Sequence, residues 1–574
     1  MEKSSRQKFV FVICGFAAFF FLWIFPRANA GFAQAHRIII DGQFSDWQTL
    51  SPIYTDSKND QQSGTIDFGR LWVANDSRYL FLRIEVGAEI NLQNNNEITL
   101  YLDTDNNSNT GTQINGIGAD LQWSFGKRQG LAVVGGSSLT IHHENLGLVT
   151  APTVTSAQFE IALDRTLTFD GNSLFPDDTL RVLFKDAGGD ELPNAGVILS
   201  YVIRHDSLPP LPVLTIRKSP VADFRVLTYN VLRDGLFEVN RVNSFKRILQ
   251  AVQPDIIGFE EMYNHSAAQT ADQVASLLPL PNGKQWFAEK VDPDVIAVSR
   301  FPILSSFVIN GNGAFLLDLS AIGKKKMLLI VAHPPCCGKD EQRQQEIDAL
   351  MAFIRNAEAP GGELTLEKNT PILIIGDMNL VGKAQQLTTL LTGEIVNHSE
   401  FGSSFHPDWD GTSLSDLHPR HTNLPMTFTW YDLKSSFSPG RLDYMIYTDS
   451  VLQPENHFVL FTPEMSPDSL TVYGLDAGDA TNASDHLPVV SDFKILKNAG
   501  VQEKESFHPL RWFSLEQNYP NPFNPTTTIR FKLPNRERVW LAVYNSLGEQ
   551  IRTLTLNTLN GGTHTIVWDG TNDI

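Results

Sequence analysis

The sequence predicts a multidomain protein in which a central α/β domain lies between two all-β regions. Three observations predict it. Residues 36–205 alternate apolar and polar side chains in short runs, as in "LWVANDSRYLFLRIEV" (71–86) and "EITLYLDTDNN" (97–107), with Asn-, Asp- and Gly-rich turns between them. Residues 222–497 instead carry continuous apolar runs that alternate with segments of helical spacing, which means sheet covered on both faces. Two irregular stretches, 206–221 and 498–512, divide the chain, and the tail from 513 to 574 is β-rich again. A chain of 574 residues is also too long for one core.

Composition narrows the class. Hydrophobic residues are 42% and charged residues 19%, which is globular rather than disordered. The net charge of −19 argues against a basic surface that wraps nucleic acid. It leaves room for an enzyme that reaches phosphates through a bound cation.

The first 30 residues read as a signal peptide. Lys3, Arg6 and Lys8 precede an apolar run over 9–25, and Ala28-Asn29-Ala30 is a small-residue cleavage signature. An uncleaved membrane anchor is the rival reading. After cleavage the cysteines left are Cys336 and Cys337. Adjacent cysteines lie closer than the usual disulfide window, so two free or partly oxidised loop thiols are expected.

The first β region shows no convincing long amphipathic helix, so a β-sandwich over 36–205 is expected. In "DTDNNSNTG" (103–111) the oxygen side chains Asp103, Asp105 and Asn107 stand at alternate positions, a pattern that suits Ca²⁺. It is not an EF-hand, because Ile114 stands where the bidentate acid belongs; an Asx-rich hairpin turn is the alternative. Trp72 and Trp123 either stack on sugar rings or fill the core. The stretch "RHDSLPPLPVLTIRKSP" (204–220) holds four prolines and reads as a stiff linker.

In the central domain "FRVLTYNV", "DIIGFEEM", "DVIAVSR", "KMLLIVAH" and "PILIIGDMN" are buried-strand runs. "RVNSFKRILQAVQ" and "RQQEIDALMAFIRNA" are helical. The strands share a feature: a polar residue suited to metal or phosphate chemistry at one end. Asn230 ends the first, Glu261 the second and His333 the third, while Asp377 and Asn379 end the fourth. Asp443 lies in "RLDYMIY", and Asp485 and His486 precede the last strand. Ligand sites collect at strand ends because the interior is filled with apolar side chains. A joint site is expected.

"TYNVL", "PDIIGFEEM", "SRFPIL", "HPP", "GDMN", "RLDYMIY" and "SDHLPV" stand in the order seen in the endonuclease/exonuclease/phosphatase superfamily, which residues 222–497 resemble. The resemblance implies a deoxyribonuclease-like four-layer α/β sandwich and hydrolysis of a phosphate ester with Mg²⁺ or Mn²⁺. It makes Glu261, with Asn230 beside it and Asp485 opposite, the metal site; Glu260 is the rival ligand. Asp443 would orient His486, since adjacent extended side chains point apart and Asp485 is therefore not its partner. His486 would act as general base or stabilise the phosphoryl group. Asp377 and Asn379 are two apart and aim the same way, one for water and one for phosphate. His333 and Arg441 would contact phosphate oxygens, with a salt bridge as the alternative for Arg441. One departure is Leu232, where apurinic endonucleases carry an acid. "HPPCCGKDEQRQQE" suggests a shaped loop that lines the substrate pocket.

"IIIDGQFSDW", "VANDSRYLFLRIEV" and "LYLDTDNNSNTGT" resemble the sandwich of family 9 carbohydrate-binding modules, which implies a polysaccharide partner. The tail "FSLEQNYPNPFNPTTTIRFKLP" with "VYNSLGEQIRTL" resembles the Ig-like C-terminal sorting domains of type IX secretion. That resemblance implies the type IX machinery as partner and an extracellular or outer-membrane-surface location. The family pattern usually continues past "WDGTND", so an incomplete domain is expected. The function expected is a secreted, monomeric, metal-dependent phosphodiesterase, foremost a nuclease. The alternatives are a sphingomyelinase-like lipid phosphodiesterase, a phosphatase, and a surface adhesin with an inactive scaffold.

Overall fold

The computed structural model describes residues 37–134, 136–169, 171–205, 211–281 and 283–496, and in the tail 514–515, 518, 526–533, 537–544, 550–559 and 562–571. The expected signal peptide at 1–30 and linker at 498–512 lie outside the described residues. Residues 33–499 form one compact unit. No helix among the described residues is long and apolar enough to cross a membrane.

The N-terminal part of that unit is two antiparallel sheets. One holds Tyr54–Thr55, Arg70–Asn75, Tyr79–Ile90, Ser156–Asp164 and Val149–Ala151; the other is built around Thr99–Asp103, Leu121–Ser124 and Thr179–Lys185. Leu71, Val73, Leu80, Leu82 and Ile84 from the first meet Leu100, Leu102, Trp123 and Val182 from the second. The alternate side chains of the first sheet, Trp72, Ala74, Tyr79 and Phe81, pack into the cluster that runs on into the central domain. Trp72 and Trp123 are therefore both core residues, 4% and 3% exposed, and neither presents a sugar-stacking face.

The stretch expected to be a stiff linker is in its described part a docked segment. Ile216 is fully buried, Leu214 N–H donates to Thr422 O at 3.2 Å, and Arg225 Nη1 donates to Ile216 O at 2.6 Å. Apolar residues between the prolines explain the docking.

The central part has two six-stranded sheets. The first runs Phe287–Val291, Val295–Ser299, Ile256–Glu260, Phe224–Asn230, Val489–Ile495, Leu452–Val459. The second runs Ile303–Ile309, Asn312–Asp318, Lys326–Val331, Ile372–Asp377, Asp443–Tyr447, Ser415–Asp416. Helices Val242–Val252 and Ala267–Leu277 pack on the outer face of the first sheet through Phe245, Ile248 and Val274. Helix Asp340–Glu358 covers the second through Ile347, Leu350 and Met351. Val226, Ile256, Leu329, Leu373, Ile375 and Met445 fill the space between the sheets. The order is helix, sheet, sheet, helix.

Period two in these strands decides where the polar ends point. Val226 faces the other sheet, so Thr228 and Asn230 do too; Ile256 does, so Gly258 and Glu260 do too. In the second sheet Leu373 and Ile375 put Asp377 on that face, and Met445 does so for Asp443. Asp377 and Asp443 are opposite one another across their ladder, as are Asn230 and Glu260 across theirs. At Gly376 the backbone has φ +134°, and a Cβ there would stand 2.0 Å from Ala332 O. Only glycine lets the strand end turn this close to its neighbour.

In the tail, Ser514–Leu515, Thr527–Leu533 and Gly562–Trp568 form one sheet, and Glu537–Tyr544 pairs with Gln550–Leu559. Ile529, Phe531, Val539 and Leu541 are its buried residues.

Candidate active site

The inward-facing ends of four strands converge with two loops at one end of the sheet sandwich. Asn230 is fully buried and its Nδ2 donates to Glu261 Oε1 at 3.2 Å and to Asp377 Oδ2 at 3.1 Å. Glu261 has φ +62°, a left-handed conformation unfavourable for a residue with a Cβ. That turn carries it out of the strand and back toward Asn230, where Oε2 also accepts the Arg233 N–H at 2.9 Å.

Two histidines flank Asp377. His486 Nδ1 donates to Asp443 Oδ2 at 2.8 Å, and His333 Nδ1 donates to Asp294 Oδ2 at 2.5 Å. The Nε2 atom of each lies 3.5 Å from Asp377 Oδ2. Burial alone would lower the His486 pKa. The charges of Asp443 and Asp377 and the hydrogen bond to Asp443 outweigh it and push the imidazole up to about 10. His333 is raised by the same balance, with Asp294 as the main counterweight to burial. Burial raises Asp377, and His486 pulls it back. Asn379 is adjacent: its N–H donates to Asp377 Oδ1 at 3.0 Å, and its Nδ2 donates to Pro334 O at 3.0 Å and Asp377 Oδ2 at 3.2 Å.

The tripeptide before the last strand divides its work. Ser484 Oγ donates to Asn230 O at 2.8 Å and accepts the His486 N–H at 3.1 Å. Asp485 turns away from its neighbour, and its Oδ2 accepts Trp430 Nε1 at 3.2 Å. The Thr429 hydroxyl accepts the N–H groups of Leu442 and Asp443, both at 2.9 Å, and so fixes the acid that holds His486.

Glu260 lies beneath this group. It is fully buried, its Oε1 accepts the Thr228 hydroxyl at 3.1 Å, and Oε2 has no partner. Burial, then the charges of Asp443 and Asp377, holds its carboxyl well above the usual range. Of the two neighbours it is Glu261, not Glu260, whose carboxylate reaches Asn230.

Asn230, Glu261, His333, Asp377, Asn379, Asp443 and His486 are thus brought together, with Asp485 at the rim. Sequence reasoning missed Asp294, Ser484, Thr429 and Trp430. Asp294 had a signal, an acid directly before the run "VIAVS", but its partner is 39 residues away. Arg441 does not join the site. Its guanidinium is bound to both Asp416 oxygens and donates to Leu417 O at 2.8 Å, 8% exposed. It lines a separate cavity of about 60 Å³ against Asp41 and Thr153. The partner that takes it, Asp416, lies on the edge strand paired to Asp443–Tyr447, the strand that Arg441 precedes.

One other expectation is corrected. Cys336 and Cys337 are joined as a vicinal disulfide rather than free; Cys337 takes φ +66°, which folds the loop so that the two sulfurs meet. At 103–111, Asp103 and Asp105 gather with a third acid, Asp120. The Asn107 N–H donates to Asp103 and Asp105 at 3.2 and 2.9 Å, as a turn does, and Arg181 neutralises Asp103 at 2.8 Å.

The donor set fits a hard divalent cation. Glu261, Asn230 and Asp485 offer an ion only oxygen, and Asp443 Oδ1 is buried without a partner. No Lys or Arg among the described residues forms an ion pair with Glu261, Asp377, Asp443 or Asp485. The tight three-acid groups lie elsewhere, at Asp56, Asp60 and Asp190 and at Asp103, Asp105 and Asp120. A site with one or two carboxylates therefore fits an ion that keeps several waters, as Mg²⁺ does.

Acids and braced histidines thus meet at the strand ends of a helix–sheet–sheet–helix sandwich. Residues 227–486 match the Endonuclease/Exonuclease/phosphatase family, so the chain carries a domain of that family. The human Nocturnin catalytic domain is similar, at 17% identity over 48% of this chain and 94% of its own, with TM-score 0.31. An endonuclease/exonuclease/phosphatase from Beutenbergia cavernae is 14% identical over 61% of this chain and 92% of its own, with TM-score 0.31. Sphingomyelinase C from Streptomyces griseocarneus is 16% identical over 47% and 98%, with TM-score 0.28. No curated protein matches the chain.

Proposed function

We propose that this protein is a secreted, metal-dependent phosphodiesterase whose substrate is extracellular nucleic acid. One observation carries the catalytic reading: Asp377 Oδ2 stands 3.5 Å from the Nε2 atoms of two histidines, each held by its own aspartate. Both imidazoles are biased to the cationic form and donate from Nε2 to non-bridging phosphate oxygens. Asp377, raised by burial, accepts the proton of the attacking water, and Asn379 fixes the orientation of its carboxylate. Water then enters in line with the departing oxygen, and the charge that develops is met by His333 and His486. A divalent cation, Mg²⁺ or Mn²⁺, held by Glu261 with Asn230 and Asp485, supplies Lewis-acid stabilisation when bound. The leader over 1–30 and the tail run "NYPNPFNPTTTI" support export and type IX sorting. Trp72 and Trp123 are enclosed in cores, so a polysaccharide partner would be met by other residues of the sandwich.

The test is hydrolysis by the full chain of plasmid DNA, RNA, sphingomyelin and bis-p-nitrophenyl phosphate, with and without Mg²⁺. Mg²⁺-dependent cleavage of DNA or RNA that falls by roughly 10²- to 10⁴-fold in His486→Ala is expected. Cleavage of sphingomyelin alone would replace the nuclease reading with the lipid one. Inactivity of folded protein on all four would overturn both.

A further inference from the structure

The loop "TDSKNDQQSGTIDFG" (55–69) leaves the first short strand of the N-terminal sandwich and carries Asp56, Asp60 and Asp67. It folds onto the loop that holds Asp190. Ser63 N–H donates to Gly188 O at 2.8 Å, Phe68 N–H to Asp190 Oδ2 at 2.5 Å, and Asp56 N–H to Gly69 O at 2.7 Å. In this arrangement one carboxylate oxygen from each of Asp56, Asp60 and Asp190 lies within 4.8 Å of the others.

Such a cluster alone proves nothing, but Asp56 adds a second observation. It is 6% exposed, and neither of its carboxylate oxygens has a hydrogen-bond partner. A buried, unpartnered carboxylate is among the most unfavourable groups a fold can hold. Burial pushes its carboxyl up to about 7; the nearby Ser57 N–H opposes this, and the charges of Asp190, Asp60 and Asp67 add to it. Among the described residues no Lys or Arg forms an ion pair with any of the four acids. Asp60 meets only the amide of Asn194, and Asp190 only the N–H groups of Phe68 and Glu191. The other acid group differs on this point: at Asp103, Asp105 and Asp120, Arg181 supplies a cation and backbone N–H groups bind Asp120.

We propose that Asp56, Asp60 and Asp190 bind a Ca²⁺ ion that ties the 56–69 and 186–190 loops together at the edge of the N-terminal sandwich. The donors are all hard oxygens, which excludes soft transition metals. The ligands come from two irregular loops, which suits the flexible six- to eight-fold shell of Ca²⁺ better than the strict octahedron of Mg²⁺. The buried carboxylate gains the counter-charge the protein does not provide.

The test is thermal unfolding of the full chain in constant Mg²⁺, with Ca²⁺ or with a Ca²⁺-selective chelator, for wild type, Asp56→Asn and Asp120→Asn. Calcium binding is read in parallel by calorimetric titration. Wild type and Asp120→Asn are expected to gain roughly 5 °C in Ca²⁺ and Asp56→Asn none, with one equivalent of Ca²⁺ lost from Asp56→Asn. In chelator Asp56→Asn should melt at or above wild type, because it removes a buried unpaired charge. A calcium response that survives in Asp56→Asn, its absence in wild type, or an Asp56→Asn protein less stable than wild type in chelator would each overturn the proposal.

Discussion

At the scale of single residues, the site is a set of acids that differ in what they do to a neighbour. Asp443 and Asp294 each take the Nδ1–H of one histidine, at 2.8 and 2.5 Å, and leave Nε2 aimed at Asp377. An amide in place of either acid keeps the size and removes the charge that favours imidazolium. Asp443→Asn should therefore lower kcat by about 10²- to 10⁴-fold, as loss of a positioned acid–base group does. Asp294→Asn loses one charge-assisted hydrogen bond, worth about 1.5–3 kcal/mol, and should lower kcat by roughly 10- to 100-fold. Steady-state kinetics with unchanged circular dichroism checks both; equal losses would contradict the graded roles. The acid that holds His486 was legible because "RLDYMIY" stands at a strand end with the right parity. Asp294 was not, because nothing local joins it to His333. Arg441 failed for the converse reason: its local position beside Asp443 was right, and Asp416 on a neighbouring edge strand had already taken its charge.

At the scale of elements, the continuous apolar runs were read to within a residue or two, since an apolar run of six residues fixes itself, while Ile303–Ile309, Asn312–Asp318 and Leu452–Val459, with polar residues interspersed, were not read as strands. What could not be read is where the connecting segments go. The stretch from Leu417 to Thr429 has no regular element of its own, yet its His421 is fully buried against Phe428 and Phe461, with ring centroids at 4.1 and 5.1 Å. Nε2–H donates to Phe428 O at 2.7 Å, and Nδ1 has no partner. Burial pushes this imidazole down to about 3, against about 6.5 in an unfolded chain. The unfolded state thus binds the extra proton between these values. The stability His421 contributes is complete above about 6.5 and is lost as pH falls toward 3. Melting temperature should drop through this window in wild type. His421→Gln, which keeps a donor for Phe428 O and cannot titrate, should show a shallower drop; parallel curves would exclude His421 as a source of acid lability.

At the scale of the molecule, the N-terminal sandwich and the central domain are not beads on a linker. Ile38, Ile40, Trp47, Tyr79 and Phe81 share one buried cluster with Met426, Phe428 and Phe461. Ile40 N–H donates to Pro425 O at 2.9 Å, Thr427 N–H to Ile40 O at 3.2 Å, and Arg78 grips Glu464 with two bonds of 2.7 and 2.9 Å. These contacts join residues nearly 390 positions apart, as Thr427 and Ile40 are, which is why composition and spacing alone gave separate domains. The same face reaches the active site. Arg128 lies over Phe437 at 4.2 Å, Gln93 Oε1 accepts the Ser438 N–H at 2.8 Å, and His143 Nε2 donates to Ser435 O at 2.9 Å. The loop so held begins at Trp430, which donates to Asp485 and pairs with the backbone of His486. Residues 37–496 should therefore unfold in a single calorimetric transition. A fragment limited to 222–497 would expose Met426, Phe428 and Phe461 and free the 430–440 loop, so it should aggregate or melt well below the full chain. Where enough soluble fragment survives, kcat should fall more than binding weakens, because Trp430 holds the acid next to His486. Two separate transitions within residues 37–496, or a fragment with undiminished melting temperature and kcat, would mean that the sandwich is only a passenger.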